Sequence, residues 1–152
     1  MHSLLVDNNW PFVIQTRSPL VLRDMDIIKK GKDCSVGFSI PTANDEIRKK
    51  FEPRAPSIIE RVNALEELHR CGIRTYAMIA PILPGAMTIM NLLDGKVDFV
   101  YVDRLNYSHA DAVYKKFALN EYQTGDYFQM VGQDIRAQCI RMKIDCNVLF
   151  GQ

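Results

Sequence analysis

Hydrophobic positions along the chain fall into short continuous runs that alternate with longer stretches of helical spacing. Phe12, Val13 and Ile14 form one such run, which predicts a buried strand over 12–16. Pro19 ends it, and Leu22, Met25 and Ile28 then recur at helical spacing over 20–30, with Gly31 as the closing residue. A second strand is predicted over 34–40, stopped by Pro41, and a short polar helix over 44–51. Ser57 and Glu60 have the spacing of a capping box. Ile58, Val62, Leu65 and Leu68 lie on one face of the helix that follows, which runs to Arg70 and ends at Gly72. A third strand is predicted over 74–82, a short helix over 86–93 and a fourth strand over 97–103. Helical stretches follow over 110–121 and 126–143, and the apolar tail 147–150 is able to add a fifth strand.

Strands separated by helices pair in parallel through right-handed crossovers. The expected fold class is therefore α/β, a partial (β/α) barrel of about four to five parallel strands with helices on the outer face. The chain has 152 residues, with no repeat or linker, so a single domain over 1–152 is expected. A complete eight-unit barrel needs about 250 residues. An incomplete barrel leaves apolar side chains of its inner face wet and its sheet edges free. A homo-oligomer or a missing N-terminal half is the expected consequence.

Composition narrows the partners. A formal net charge of +1 offers no electrostatic footprint for nucleic acid. No run approaches the ~18 apolar residues of a membrane span. Asp7, Asn8 and Asn9 interrupt the N-terminal segment, which also lacks the basic start of a signal peptide, so a cytoplasmic location is expected. The four cysteines, Cys34, Cys71, Cys139 and Cys146, are spaced for neither a zinc pair nor a cluster triad, and they are expected as reduced thiols.

In a parallel β/α fold, chemistry gathers where strands end. Arg17 follows the first strand; its planar fork suits a carboxylate, or it pairs with Asp24 or Asp26. Ser39 ends the second strand, where its hydroxyl can meet a ligand or a backbone carbonyl. Arg54 is held on a stiff loop between Pro53 and Pro56, free to bind an anion or to brace the loop with Glu52. Ile79 to Leu83 offers apolar surface suited to a base, or equally a core strand. Asp103 and Asn106 end the fourth strand as ligand contacts or loop caps. The three histidines are scattered, and His69, in the last turn of a helix, reads as structural. The basic cluster Arg48-Lys49-Lys50 reads as a solvated face.

The phrases QTRSPLVLRD, VGFSIPTANDEIRKKFEPRAPS, GIRTYAMIAPILPG and VDFVYVDRLN, in that order, resemble the C-terminal part of the core barrel in radical S-adenosylmethionine proteins of the spore photoproduct lyase-like group. The resemblance implies that Arg17, Ser39, Arg54, Ile79 and Asn106 contact S-adenosylmethionine. Arg17 stands where that group has a lysine. Arg54 would take the cofactor carboxylate, Ser39 its ribose or methionine part, and the strand of Ile79 its adenine. Members of the group hold a [4Fe–4S] cluster with Cys-x3-Cys-x2-Cys, and this sequence contains no such motif.

The expectation is a truncated radical S-adenosylmethionine-like protein that supplies part of the cofactor-binding rim without iron–sulfur ligands. It would bind S-adenosylmethionine weakly and be inactive alone. The alternatives are a non-enzymatic binding or assembly module and one half of a split radical enzyme. An unrelated hydrolase-like or aldolase-like half barrel ranks last, because the strands carry no lysine for a Schiff base.

Overall fold

The computed structural model describes residues 2–105 and 108–151. A short helix absent from the sequence reading, α1 (His2–Asp7), leads into β1 (Phe12–Thr16). Ser18 then accepts from the Leu20 N–H and starts a 3-10 helix, Pro19–Asp24, which passes into the single turn α2 (Met25–Ile28). The expected helix over 20–30 is thus split, and the left-handed residue after it is Asp33, with φ 54°, rather than Gly31.

Next come β2 (Cys34–Ser39), α3 (Asp45–Phe51) and α4 (Ile58–Arg70). The capping box forms as its spacing predicts: Glu60 N–H donates to Ser57 Oγ at 3.3 Å and Ser57 N–H donates to Glu60 Oε2 at 2.7 Å. Gly72, at φ 79°, turns the chain from α4 into β3 (Arg74–Ile79). That strand stops three residues earlier than predicted. At Ala80 the chain leaves the sheet through a cis peptide to Pro81. Ile82 N–H then bonds the Asp103 carbonyl and Leu83 N–H the Pro41 carbonyl, so three strand-end loops are sewn together. Gly85, at φ 85°, closes this crossing, and a Cβ there would stand 3.0 Å from Thr42 Oγ1.

The chain continues through α5 (Met90–Leu93), β4 (Phe99–Val102), α6 (Asp111–Lys116), α7 (Gly125–Met142) and β5 (Asp145–Val148). The stretch over 110–121 is broken after Lys116, because Ala118 adopts φ 52°. The last strand begins two residues before the predicted tail. Asp145 and Asn147 alternate with Cys146 and Val148, so an apolar-run reading passes over its polar half.

All five strands are parallel, in spatial order β1-β2-β3-β4-β5. This is the expected partial-barrel arrangement. Alternation divides the sheet into two faces. Val36, Phe38, Ala77, Ile79, Val100 and Val102 face the helices and are wholly buried with Val62, Leu65, Leu68, Val131 and Ile135. The second face carries Val13, Gln15, Ser35, Gly37, Ser39, Tyr76, Met78, Phe99 and Tyr101, as the register requires.

Much of this second face covers itself. Tyr76 stacks on Phe99 with centroids 5.0 Å apart, Tyr101 meets both edge-on, and the Arg74 guanidinium lies 4.7 Å above Phe99. Tyr76 is 2% and Phe99 8% exposed. Towards the β1 edge this face is not covered, and Val13 is 66% exposed. Among the described residues no helix is long and apolar enough to cross a membrane.

Candidate functional site

The register pairs Thr16 with Phe38 and Ser39 with Met78, so the residues after β1 and at the end of β2 lie on one rim. Arg17 sits where three clefts meet. One, of about 320 Å³, is lined by Gln15, Thr16, Arg17, Ser18 and Ser39. A second, of about 480 Å³, lies between Arg17 and the loop Phe51-Glu52-Pro53-Arg54-Ala55. The third, about 200 Å³, runs from Arg17 and Glu52 past Pro41, Phe51, Pro81 and Leu83 to Leu105, His109 and Val113. Arg17, Ser39 and Arg54 therefore share one region at the C-terminal end of the sheet. In parallel β/α folds this is the end that binds ligands.

The loop that presents Arg54 is clamped from below by two buried arginines. Arg48, 5% exposed, donates to both Asp45 carboxylate oxygens and to the carbonyls of Glu52 and Ala55. It is a structural strut and not part of a solvated basic face. Arg61 has no exposed surface and donates to Pro56 O at 3.0 Å, Ser39 O at 2.8 Å and Glu52 Oε2 at 2.6 Å. Sequence reasoning passed over Arg61, although a signal was present. It falls among Ile58, Val62, Leu65 and Leu68 on the apolar face of α4, where a charge needs a partner.

Asp45 anchors this assembly. Its Oδ1 accepts from the Ile58 N–H at 3.0 Å, tying α3 to α4. The Arg48 hydrogen bond is the chief reason that its carboxyl is lowered to about 2.

Arg17 pairs with Glu52, Nε to Oε1 at 2.7 Å, and not with Asp24 or Asp26. Its side chain remains 56% exposed. Arg54 is exposed and has no ion-pair partner among the described residues. Ser39, 5% exposed, donates to the Ala80 carbonyl over a long 3.5 Å. Ile79 stands apart from the other candidates. Its side chain is wholly buried among the helices behind the sheet, and its carbonyl accepts from the Asp103 N–H at 3.1 Å. Alternation sends it away from the rim, so only Ala80 to Leu83 of that phrase reach the rim loops. Asp103 caps the Arg104 N–H at 2.8 Å. Asn106 lies outside the described residues.

The remaining chemistry-bearing groups are structural or far from the rim. His69 Nδ1 is 3.0 Å from Thr75 Oγ1 and 3.5 Å from Asp98, tying α4 to the start of β3. A cavity of about 320 Å³ at the opposite end of the sheet is lined by Lys29, Asp33, Cys34, Cys71 and Arg74. Cys139 and Cys146 interact between α7 and β5, and hydrogen bonding to Cys146, with burial, pushes the Cys139 thiol up. Among the described residues no three His, Cys, Asp or Glu side chains are grouped to hold a metal ion.

The family model of the Radical SAM superfamily matches residues 2–86, more than half of the chain. An uncharacterized protein of Methanocaldococcus jannaschii is 36% identical over 104 residues, which cover 66% of this chain and 40% of that protein. An uncharacterized protein of Acidianus two-tailed virus is 36% identical over 74 residues, covering 48% of this chain and 25% of its own length. The chain thus spans less than half of the curated relatives that it matches.

Among solved structures, spore photoproduct lyase complexed with a dinucleoside spore photoproduct superposes with a TM-score of 0.67 at 12% identity, over 98% of this chain and 54% of that one. Streptococcus suis SuiB bound to S-adenosylmethionine gives 0.60 at 13% identity, over 95% of this chain and 32% of that one. At such identities the superpositions speak for the fold.

Proposed function

The chain belongs to the radical S-adenosylmethionine superfamily, and on that premise we propose that it forms the carboxylate-binding side of an S-adenosylmethionine rim. The observation that carries this reading is the meeting of Arg17, Ser39 and the Arg54 loop at the C-terminal end of parallel strands. Arg17 and Arg54 would hold the cofactor carboxylate, and Ser39 would meet its ribose or methionine part. Pro81 and Leu83 line the adjoining apolar cleft, which suits an adenine face. At a complete site of this family, the cofactor held by these residues would supply radical chemistry.

The iron–sulfur cluster is a different matter. Cys34 and Cys71 lie at the far end of the sheet, and Cys139 and Cys146 belong to α7 and β5, with the Cys139 thiol buried against Met90. These residues do not fit a cluster, so no step through one is assigned to this chain. A complementing portion of barrel, carried by a longer form of this polypeptide or by a partner, would supply the cluster and pair with the outer edge of β1. Among the described residues that edge has no strand neighbour, and Val13 beside it is exposed.

Calorimetric titration with S-adenosylmethionine tests the reading. Weak binding is expected in the wild type. A charge-assisted hydrogen bond contributes roughly 1.5–3 kcal/mol, so Arg54→Ala should weaken binding about tenfold or more. Binding that Arg54→Ala leaves unchanged removes this arginine from the site. No binding by the wild type counts against the reading as a whole.

A further inference from the structure

The buried ion pair beneath the rim has a role that packing does not require. Arg61 lines none of the three clefts at the rim and has no exposed surface. Yet it bonds the backbone of Ser39 directly and reaches Arg17 through Glu52. One terminal nitrogen donates to the Ser39 carbonyl at 2.8 Å, and the other donates to Glu52 Oε2 at 2.6 Å. The second oxygen of that carboxylate, Oε1, is the one that holds Arg17 Nε at 2.7 Å. Each Glu52 oxygen is therefore committed to a different arginine.

Two consequences follow from charge and geometry. Two guanidinium groups share one carboxylate, so the trio keeps a net positive charge beside the exposed cation of Arg54. Arg17 is also restrained by a carboxylate that is itself fixed on the buried side. Without that restraint a long exposed side chain would have to be ordered by the ligand, which weakens binding. A Glu52 facing Arg17 alone would instead neutralise it and compete with any incoming anion.

We propose that Arg61 and Glu52 are a positioning pair: Glu52 orients Arg17 for a ligand carboxylate, and Arg61 fixes Glu52 and offsets its charge, so that the rim stays cationic. The proposal rests on the reading that Arg17 binds the carboxylate of S-adenosylmethionine, and it deepens that reading by naming what specifies the carboxylate. Arg61 acts only through Glu52 and Ser39, so it is a positioning residue and not a catalytic one.

The test compares S-adenosylmethionine with its decarboxylated analogue as calorimetric probes. The wild type should favour the carboxylate-bearing probe by about a hundredfold, one factor of about ten for each of the two arginines that hold the carboxylate. Glu52→Gln should cut that preference to the level of Arg17→Ala, with little change for the analogue. In the Arg17→Ala background, Glu52→Gln should have no further effect. Additive losses, or an unchanged preference in Glu52→Gln, overturn the proposal.

A second measurement is independent of the ligand. In a nitrogen–proton correlation spectrum, Arg17 Nε–H should be a resolved, slowly exchanging signal in the wild type. It should collapse to the exposed-arginine position in Glu52→Gln and in Arg61→Lys. If neither probe binds but this signal behaves as stated, the rim reading fails and the positioning pair stands. If the signal is already solvent-like in the wild type, the pair does not position Arg17 and the proposal falls. Unfolding curves for each variant separate a lost fold from a lost orientation.

Discussion

The ring of Tyr76 lies directly over Gly37 of the neighbouring strand, in the space that a Cβ on residue 37 would occupy. The absence of a side chain lets the tyrosine lean across the sheet, stack on Phe99 and become buried on a face that would otherwise be wet. Gly37→Ala should destabilise the protein by about 1–3 kcal/mol, the usual size of an overpacking effect. Urea unfolding measures it. The double variant with Tyr76→Ala should lose less than the sum of the two single changes, because they compete for one volume. Full additivity would show that the ring moves aside freely.

Asp45 makes stability depend on acid. Its folded-state carboxyl is lowered to about 2 from an ordinary 3.8, chiefly by the hydrogen bond from Arg48. A lowered folded value means that the stabilisation is present above about pH 4 and is lost as pH falls through about 2. The side chain is 35% exposed, so solvent screening limits the contribution to roughly 1 kcal/mol. Asp45→Asn should therefore unfold more easily than wild type at pH 6, and the gap should close towards pH 2. A gap that stays constant over that range would assign the loss to packing.

Tyr114 is completely buried, and its hydroxyl has no hydrogen-bond partner among the described residues. Burial pushes its ionisation up to about 12. Tyr114→Phe removes a desolvated polar atom and no bond, so stability should be unchanged or rise by up to about 1 kcal/mol. The raised value also means that wild-type stability falls as pH climbs from 10 towards 12, and Tyr114→Phe should flatten that fall. Clear destabilisation by the substitution would reveal a partner for the hydroxyl.

The chain alone should take up no stable four-iron cluster. Anaerobic reconstitution with iron and sulfide, followed by metal analysis, is the measurement. Incorporation near four irons per chain would show that subunits share thiolates despite the dispersed positions of the cysteines.

The free edge of β1 should promote association. Static light scattering over a concentration series should show mass rising with concentration, and Val13→Lys should suppress the rise by placing a charge beside the edge. A monomer at every concentration in the wild type would mean that the edge needs no cover.

Local pattern determined a good deal of this protein. The first four strands, the capping box at Ser57 and the helix to Arg70 were legible because each depends on residues close together in the chain: apolar runs, prolines and a serine–glutamate pair. The parallel order followed from strands alternating with helices, and Arg17, Ser39 and Arg54 were legible as rim residues because they follow strands or sit on a proline-braced loop.

Tertiary structure decided the rest. Strand β5 carries half its side chains as Asp145 and Asn147, so only pairing with β4 makes it a strand. Ile79 reads the same whether it faces a ligand or the core, and the strand's phase in the sheet alone sends it behind the rim. Arg17 had acidic neighbours in sequence, yet its partner is Glu52, 35 positions away, because parallel pairing with β2 brings the loop after α3 over the end of β1. The same holds for Arg61 and Ser39. A burial site for a charge is made by groups from separate elements, and no local window contains them.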